Sequence, residues 1–261
     1  MKQAQEPYAA LARYYDAFTD NMNYAGRVEY LYTLLCDAGA PPGCLALDLA
    51  CGTGTYSYAL LERGYDVIGV DASLDMLGIA LEKAAQKQLA PPLFLCQRLE
   101  ALDLYGTVRA AICLTDSLNH LTTPNQVQRF FKRLANFVEP GGVFIFDVNT
   151  PYKHEHVLAD NTFVYENETA GVFCVWRNRW IPETKSTEIA LDLFSREERQ
   201  SDESGLYQRS AECFVERAYT IEELTRWLNR AGFAVENIFE ELTRQPPGPE
   251  SERVFLIARR K

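Results

Sequence analysis

Residues 47–73 read LDLACGTGTYSYALLERGYDVIGVDAS. An apolar run carries one acid, Asp48, and leads into a loop with two glycines, Gly52 and Gly54. TYSYALLER, with Gly64 after it, reads as a helix with a glycine stop. DVIGVD then reads as a second strand that ends on Asp71. Backbone N–H groups of such a loop gather at a helix N-terminus, which suits a negatively charged group close to the backbone. A carboxylate at the end of the next strand can accept both hydroxyls of a ribose. The dinucleotide pattern G-x-G-x-x-G/A needs a small third residue for tight helix–strand packing. Here that position is Ser57, and Asp48 precedes the loop from inside the strand. Both features argue against NAD and a dehydrogenase.

Outward from this unit, strands and helices alternate. CLALDLA is an apolar run, expected to be a strand buried on both faces. Ser73 is placed to cap the helix LDMLGIALEKAAQKQ. After Pro91 and Pro92, LFLCQ and VRAAICLT read as third and fourth strands. Pro124 opens the helix NQVQRFFKRLANFV, and EPGG turns into a fifth strand, VFIFDVN. This order predicts an α/β fold: a doubly wound, mostly parallel sheet of seven strands with helices on both sides and an antiparallel final strand. The first forty residues read as a helical N-terminal cap, with Tyr8, Leu11, Ala12 and Tyr15 at helical spacing and a second helix ended by Gly39.

Near Thr150 the pattern changes. FVYENE, VFCVWRNRW, STEIALDLFSRE and YQRSAECFVERAY alternate apolar and polar residues, as an antiparallel sheet with one wet face does. SREERQSDESG reads as a charged turn. Residues 151–217 are therefore an antiparallel β insert, and residues 1–150 with 218–261 form the core. The α/β pattern resumes with a capping box, Thr220 to Glu223, ahead of IEELTRWLNRA. Two last strands, AVENIFE and RVFLIARR, follow.

Composition narrows the function. The chain has 261 residues with 26 basic and 36 acidic side chains, a net charge of −10, which argues against a broad phosphate-binding surface. No apolar run reaches the ~18 residues that span a bilayer. Seven dispersed cysteines with no CxxC pair argue against zinc and for a reduced, cytoplasmic protein. Cys96 and Cys113 read as small core residues. His154 and His156, in KHEH, lack further placed ligands, so a solvated loop is expected and no metal site. WRNRW could hold an anion by cation–π and charge contacts, but more often such a run is a strand with alternating faces.

LDLACGTG, followed by VIGVDAS with its acid seventeen residues beyond Gly54, resembles motif I and the next strand of class I S-adenosylmethionine-dependent methyltransferases. The likeness continues through FLCQRLEALDL, ICLTDSLNHL and VEPGGVFIFDVN, and YAALARYYDAF resembles the N-terminal cap helix of small-molecule members. It covers most of the chain outside the insert. The resemblance implies S-adenosylmethionine as cofactor. Ala50, Gly52 and Gly54 would bring the backbone to its methionine portion, with Asp48 beside it and Tyr15 closing over that end. Asp71 would take the ribose. Ala72 and Met76 would flank the adenine, and Leu99 would offer it a backbone N–H. Leu114 and Asn119, after the fourth strand, would complete the contacts. Relatives carry Asp where this chain has Arg98, and arginine has only donors. Gln97, a main-chain oxygen or packing alone would then hold the adenine amino group.

The resemblance also implies a small-molecule methyl acceptor, methylated at N or O under a lid formed by the insert, with no membrane, little case for nucleic acid, and a homodimer left open. His120 lies where substrate and methyl group meet in this fold; the plainer reading is a structural histidine in a loop. Asp48 could merely satisfy loop amides, and is expected to do both. An amine or hydroxyl acceptor would use His120 or a tyrosine as base, and a carboxylate would need none. A protein that binds or modifies the cofactor without methylating, and a tRNA methyltransferase, are the competing readings.

Overall fold

The computed structural model describes residues 11–19, 22–87, 90–196 and 206–261. Tyr8 and most of the charged turn lie outside them. The core elements follow in order: α1 (Tyr15–Phe18), α2 (Tyr24–Asp37), β1 (Leu45–Leu49), α3 (Thr55–Glu62), β2 (Asp66–Asp71), α4 (Leu74–Lys87), β3 (Leu93–Cys96), β4 (Val108–Cys113), α5 (Pro124–Leu134) and β5 (Val138–Asn149). The insert carries a π-helical turn (Lys153–Leu158), then β6 (Thr162–Asn167), β7 (Val172–Ile181), β8 (Ser186–Arg196) and β9 (Tyr207–Arg217). α6 (Ile221–Arg230), β10 (Phe233–Glu240) and β11 (Arg253–Arg260) complete the core.

Seven strands form one sheet in the order β10-β11-β5-β4-β1-β2-β3. β1 to β5 pair in parallel, while β11 runs antiparallel between β5 and β10. Side-chain alternation along β5 assigns both faces. Phe144 and Phe146 point to one layer, with Phe130, Phe131, Trp227 and Leu228 of α5 and α6. Val143 and Ile145 point to the other, with Leu31, Leu34 and Leu35 of α2. Truncating one fully buried leucine there, Leu35→Ala, costs about 2–5 kcal/mol.

Local signals act where expected. The Ser73 hydroxyl accepts the Met76 N–H at 3.3 Å. Thr220 and Glu223 form a reciprocal capping box, and α5 opens on a second one, Thr123 with Gln126, ahead of Pro124. Cys113 is fully buried, but Cys96 is exposed. The reason is position: β3 is an edge strand, so the rule for strands covered on both faces does not reach it.

The second sheet, β6-β7-β8-β9, is antiparallel throughout. On its inward face Cys174, Ile189, Leu191 and Leu193 pack against Leu11, with Tyr15 and Phe18 beside them. On its outward face Arg177 and Arg209 both pair with Asp192. WRNRW is thus part of β7, with its arginines on the wet side. The expected loop at 151–158 is instead a helical turn. His154 is fully buried there, its Nδ1 2.8 Å from the Thr187 hydroxyl, whereas His156 is exposed. Helical winding places these two on different sides of the turn, which an i, i+2 spacing in the sequence conceals.

Candidate active site

β1 ends into a loop of left-handed residues: Ala50 at φ +54°, Gly52 at +54° and Gly54 at +76°. The glycines serve different ends. A Cβ on Gly52 would meet nothing within 4 Å, because it faces open space in a cavity. A Cβ on Gly54 would press on Phe94 at 3.1 Å and Ala80 at 3.2 Å. Gly54 therefore lets α3 start close to α4 and β3, and it lies off the cavity lining.

That cavity, of about 660 Å³, runs along the C-terminal ends of β1, β2 and β4. Asp48 lines it. Its Oδ2 accepts the Ser57 hydroxyl at 2.5 Å, so the residue that departs from the dinucleotide pattern has a task of its own. Burial pushes the Asp48 carboxyl up to about 7. Asp71 accepts the Gly52 N–H through Oδ2 and the Ser73 N–H through Oδ1, both at 2.8 Å. Burial raises its carboxyl as well. The Ala72 N–H also bonds this carboxylate, which as an ion offers about four acceptor positions and so retains capacity for a further donor.

Ala50, Ala72, Met76, Leu99 and Leu114 also line the cavity. Gln97 does too, but its amide is closed on a neighbour. Nε2 donates to the Asp103 carbonyl at 3.0 Å and Oε1 accepts the Asp103 N–H at 2.9 Å. Arg98 also borders the cavity, largely exposed, and its Nε donates to Glu100 Oε1 at 2.9 Å. Glu100, which no sequence motif singles out, puts a mostly buried carboxylate on this wall.

The opposite end is aromatic. Tyr15, Tyr24 and Tyr56 line it, the last two edge to face at 5.6 Å. His120, at the end of a short 3₁₀ turn (Ser117–His120), joins them with 27% of its side chain exposed. Burial pushes its imidazole below the ordinary histidine value. Phe214 and Val215 of β9 close the wall, and Phe214 packs on the His120 ring at 5.2 Å. Asn119 is placed elsewhere. It is fully buried and off the lining, where it accepts the Asn149 N–H at 3.0 Å and donates to the Arg217 carbonyl at 2.9 Å. Its role is to tie the end of β5 to the end of β9.

The segment from Leu11 to Phe18 lies across this cavity. The Leu11 N–H bonds Glu212 of β9 at 2.8 Å, and Asn167 of β6 donates to the Ala17 carbonyl at 3.1 Å. From the same segment, Asp16 accepts the Thr53 hydroxyl of the glycine loop at 2.7 Å and pairs with Lys83 of α4 at 2.6 Å.

Comparison with known proteins shows the family. Residues 46–142 match the family model described as a methyltransferase domain. A Geobacillus sp. (strain WCH70) protein and YqeM of Bacillus subtilis (strain 168), both bearing the name methyltransferase without a stated substrate, are each 30% identical. They align over 97% of this chain and over 99% and 97% of their own lengths. A crystal structure of an S-adenosylmethionine-dependent methyltransferase from Clostridium acetobutylicum ATCC 824 superposes with a TM-score of 0.83. It is 26% identical, with 97% of this chain and 98% of that one covered. The chain belongs to the class I S-adenosylmethionine-dependent methyltransferases.

The methyltransferase's own residues fit that cofactor. Gly52 leaves a space that any side chain would fill, and Asp71 offers two oriented oxygens beside it. Among the described residues no group of three or more histidines, cysteines or acids is placed to hold a metal ion, and no helix is long and apolar enough to cross a membrane.

Proposed function

We propose that the enzyme methylates a small molecule at nitrogen or oxygen, with residues 151–217 as the acceptor lid over a core of residues 1–150 and 218–261. One observation carries this reading: a single cavity holds both Asp71 of the core and Phe214 of the insert, so the insert is a wall of the site. Its volume of about 660 Å³ is that of small-molecule sites, ~300–1,000 Å³, rather than of a macromolecular surface.

S-adenosylmethionine supplies a methyl group already activated by a sulfonium. The chain's task is alignment and exclusion of water. In this reading Asp71 holds the ribose hydroxyls, Asp48 faces the methionine ammonium, and Ala50 and Gly52 admit the backbone beside it. Ala72 and Met76 pack on the adenine and Leu99 gives it a backbone N–H. Glu100, on the same wall as Gln97, puts a carboxylate in reach to accept from the adenine amino group in this reading. Tyr15, Tyr24 and Tyr56 line the far end with aromatic surface.

Two measurements test it. S-adenosylhomocysteine at 100 times its Kd stabilises the fold by about 2.7 kcal/mol, read as a rise in Tm, and Asp71→Ala loses that rise. Labelled methyl groups pass to members of a metabolite panel. Transfer to RNA or protein alone would overturn the small-acceptor reading.

A further inference from the structure

Behind His120 stands an acid that the cofactor does not need. Glu216, on the inward face of β9, is 4% exposed. Its Oε1 lies 3.7 Å from His120 Nε2, and its Oε2 lies 3.9 Å from His154 Nε2 with no hydrogen-bond partner. A buried carboxylate oxygen without a donor is costly to maintain. An enzyme that keeps one beside an imidazole facing the reacting end has a place prepared for a proton.

We propose that Glu216 is the positioning carboxylate of His120, and that the pair takes the proton of an acceptor whose attacking atom arrives as N–H or O–H, which makes the substrate class amines and alcohols rather than carboxylates. This deepens the small-acceptor reading and rests on it. The acceptor's N–H or O–H gives its proton to the imidazole of His120 as the C–N or C–O bond forms. The S–CH₃ bond breaks and its electron pair remains on sulfur, which becomes neutral. The imidazolium so formed lies 3.7 Å from Glu216 Oε1, and its positive charge favours ionisation of that buried acid. The imidazole has a buried acid 3.7 Å from Nε2, and Asp116 favours its cationic form against burial, which suits general-base work.

Every neighbour of Glu216 bears on this. Asp116, just before the 3₁₀ turn, opposes its ionisation; Arg253 of β11 and Lys153 favour it, as does the Asn149 amide at the end of β5. Burial is the largest influence and pushes the Glu216 carboxyl up to about 8. Burial also drives His154 down to about 4, so this second imidazole stays neutral and does not compete for the proton. The fully buried His154 thus supports Glu216 from behind, while His120 meets the cavity.

The test compares wild type with Glu216→Gln, His120→Gln and the conservative Glu216→Asp. A thermal shift with S-adenosylhomocysteine verifies fold and cofactor end, and is expected to be unchanged in all three. Ring resonances of His120, assigned by their loss in His120→Gln, are then followed against pH by ¹⁵N NMR. In wild type they move through an alkaline step that reports a proton shared with Glu216; in Glu216→Gln that step is gone. Identical titrations in the two proteins overturn the proposal. Labelled methyl transfer is measured across amines, alcohols and carboxylic acids. Amines or alcohols are expected to be methylated. kcat should fall by at least about tenfold in Glu216→Gln with KM little changed, and recover in part in Glu216→Asp. Methylation of carboxylic acids alone, or an unaltered kcat, also overturns it. If wild type methylates nothing in the panel, the small-acceptor reading falls, while the NMR titration still decides whether the two side chains share a proton.

Discussion

Asp147 fixes Asp116 in the left-handed region: its Oδ1 accepts the Asp116 N–H at 2.6 Å, at a residue with φ +52°. Its Oδ2 accepts the N–H of Thr115, at φ +53°, with a distance of 2.9 Å. Left-handed conformations at non-glycine residues cost roughly 1–3 kcal/mol each and persist where the surroundings over-determine them. Here one carboxylate and the guanidinium of Arg253, bonded to Asp147 at 2.8 Å and Asp116 at 2.6 Å, do so. The bend carries the chain from β4 toward His120. Burial would push the Asp116 carboxyl up, but Arg253, Lys153 and His120 outweigh it and hold it below its ordinary value.

Asp147→Ala should therefore be among the most damaging single changes. It removes both N–H partners and leaves a buried Arg253 with one fewer counter-charge. A loss of about 3–5 kcal/mol is expected in urea unfolding. A loss below ~1 kcal/mol would mean that Asp116 and Glu241, whose Oε1 lies 3.1 Å from Arg253 Nε, suffice to hold Arg253.

The two loop glycines separate stability from binding. Gly54→Ala forces a Cβ against Phe94 and Ala80 at a left-handed residue and should cost roughly 2–3 kcal/mol. Gly52→Ala bears only the backbone penalty, roughly 1–2 kcal/mol, since its Cβ meets open space. It should nonetheless abolish the thermal shift with S-adenosylhomocysteine. Denaturation and ligand titration on both variants check the contrast, and a Gly52→Ala protein that binds normally would contradict the assigned cofactor position.

Asp48 gives a pH dependence of defined sign. Its carboxyl is raised from an ordinary 3.8 to about 7 by burial, so the folded state binds the proton more tightly than the unfolded one. Stability is then greatest at low pH within this window. It declines as pH rises from the ordinary carboxylate range through about 7, by ~3–5 kcal/mol for this group. Asp48→Asn should flatten that part of the ligand-free stability profile. An unchanged slope would assign the decline to other groups.

Much of this architecture is legible in the amino-acid sequence. Branched apolar runs mark β1, β4 and β5, and T-x-x-E marks the start of α6, because these signals act within a few residues. Failures occur where distant packing decides. The exposure of Cys96 follows from the place of β3 at the sheet edge. Asn119 sits in the right motif but turns to join β5 and β9, which depends on how the insert docks. Glu216 belongs to no motif, although a weaker signal exists: Glu212, Phe214 and Glu216 alternate on one face of β9. Two acids on that face are readable as functional only once it is known to be the inward one. His154 is hidden likewise, its burial coming from β7 and β8 rather than from its neighbours in sequence.

The segment that spans Leu11 to Phe18 is bonded to the insert at Glu212 and Asn167 and to the core at Thr53 and Lys83. One segment thus joins β6 and β9 to the glycine loop and α4. The expected outcome for Asp16→Ala, which removes the bond to Thr53 and the ion pair to Lys83, is faster release of spent cofactor, measured by stopped-flow.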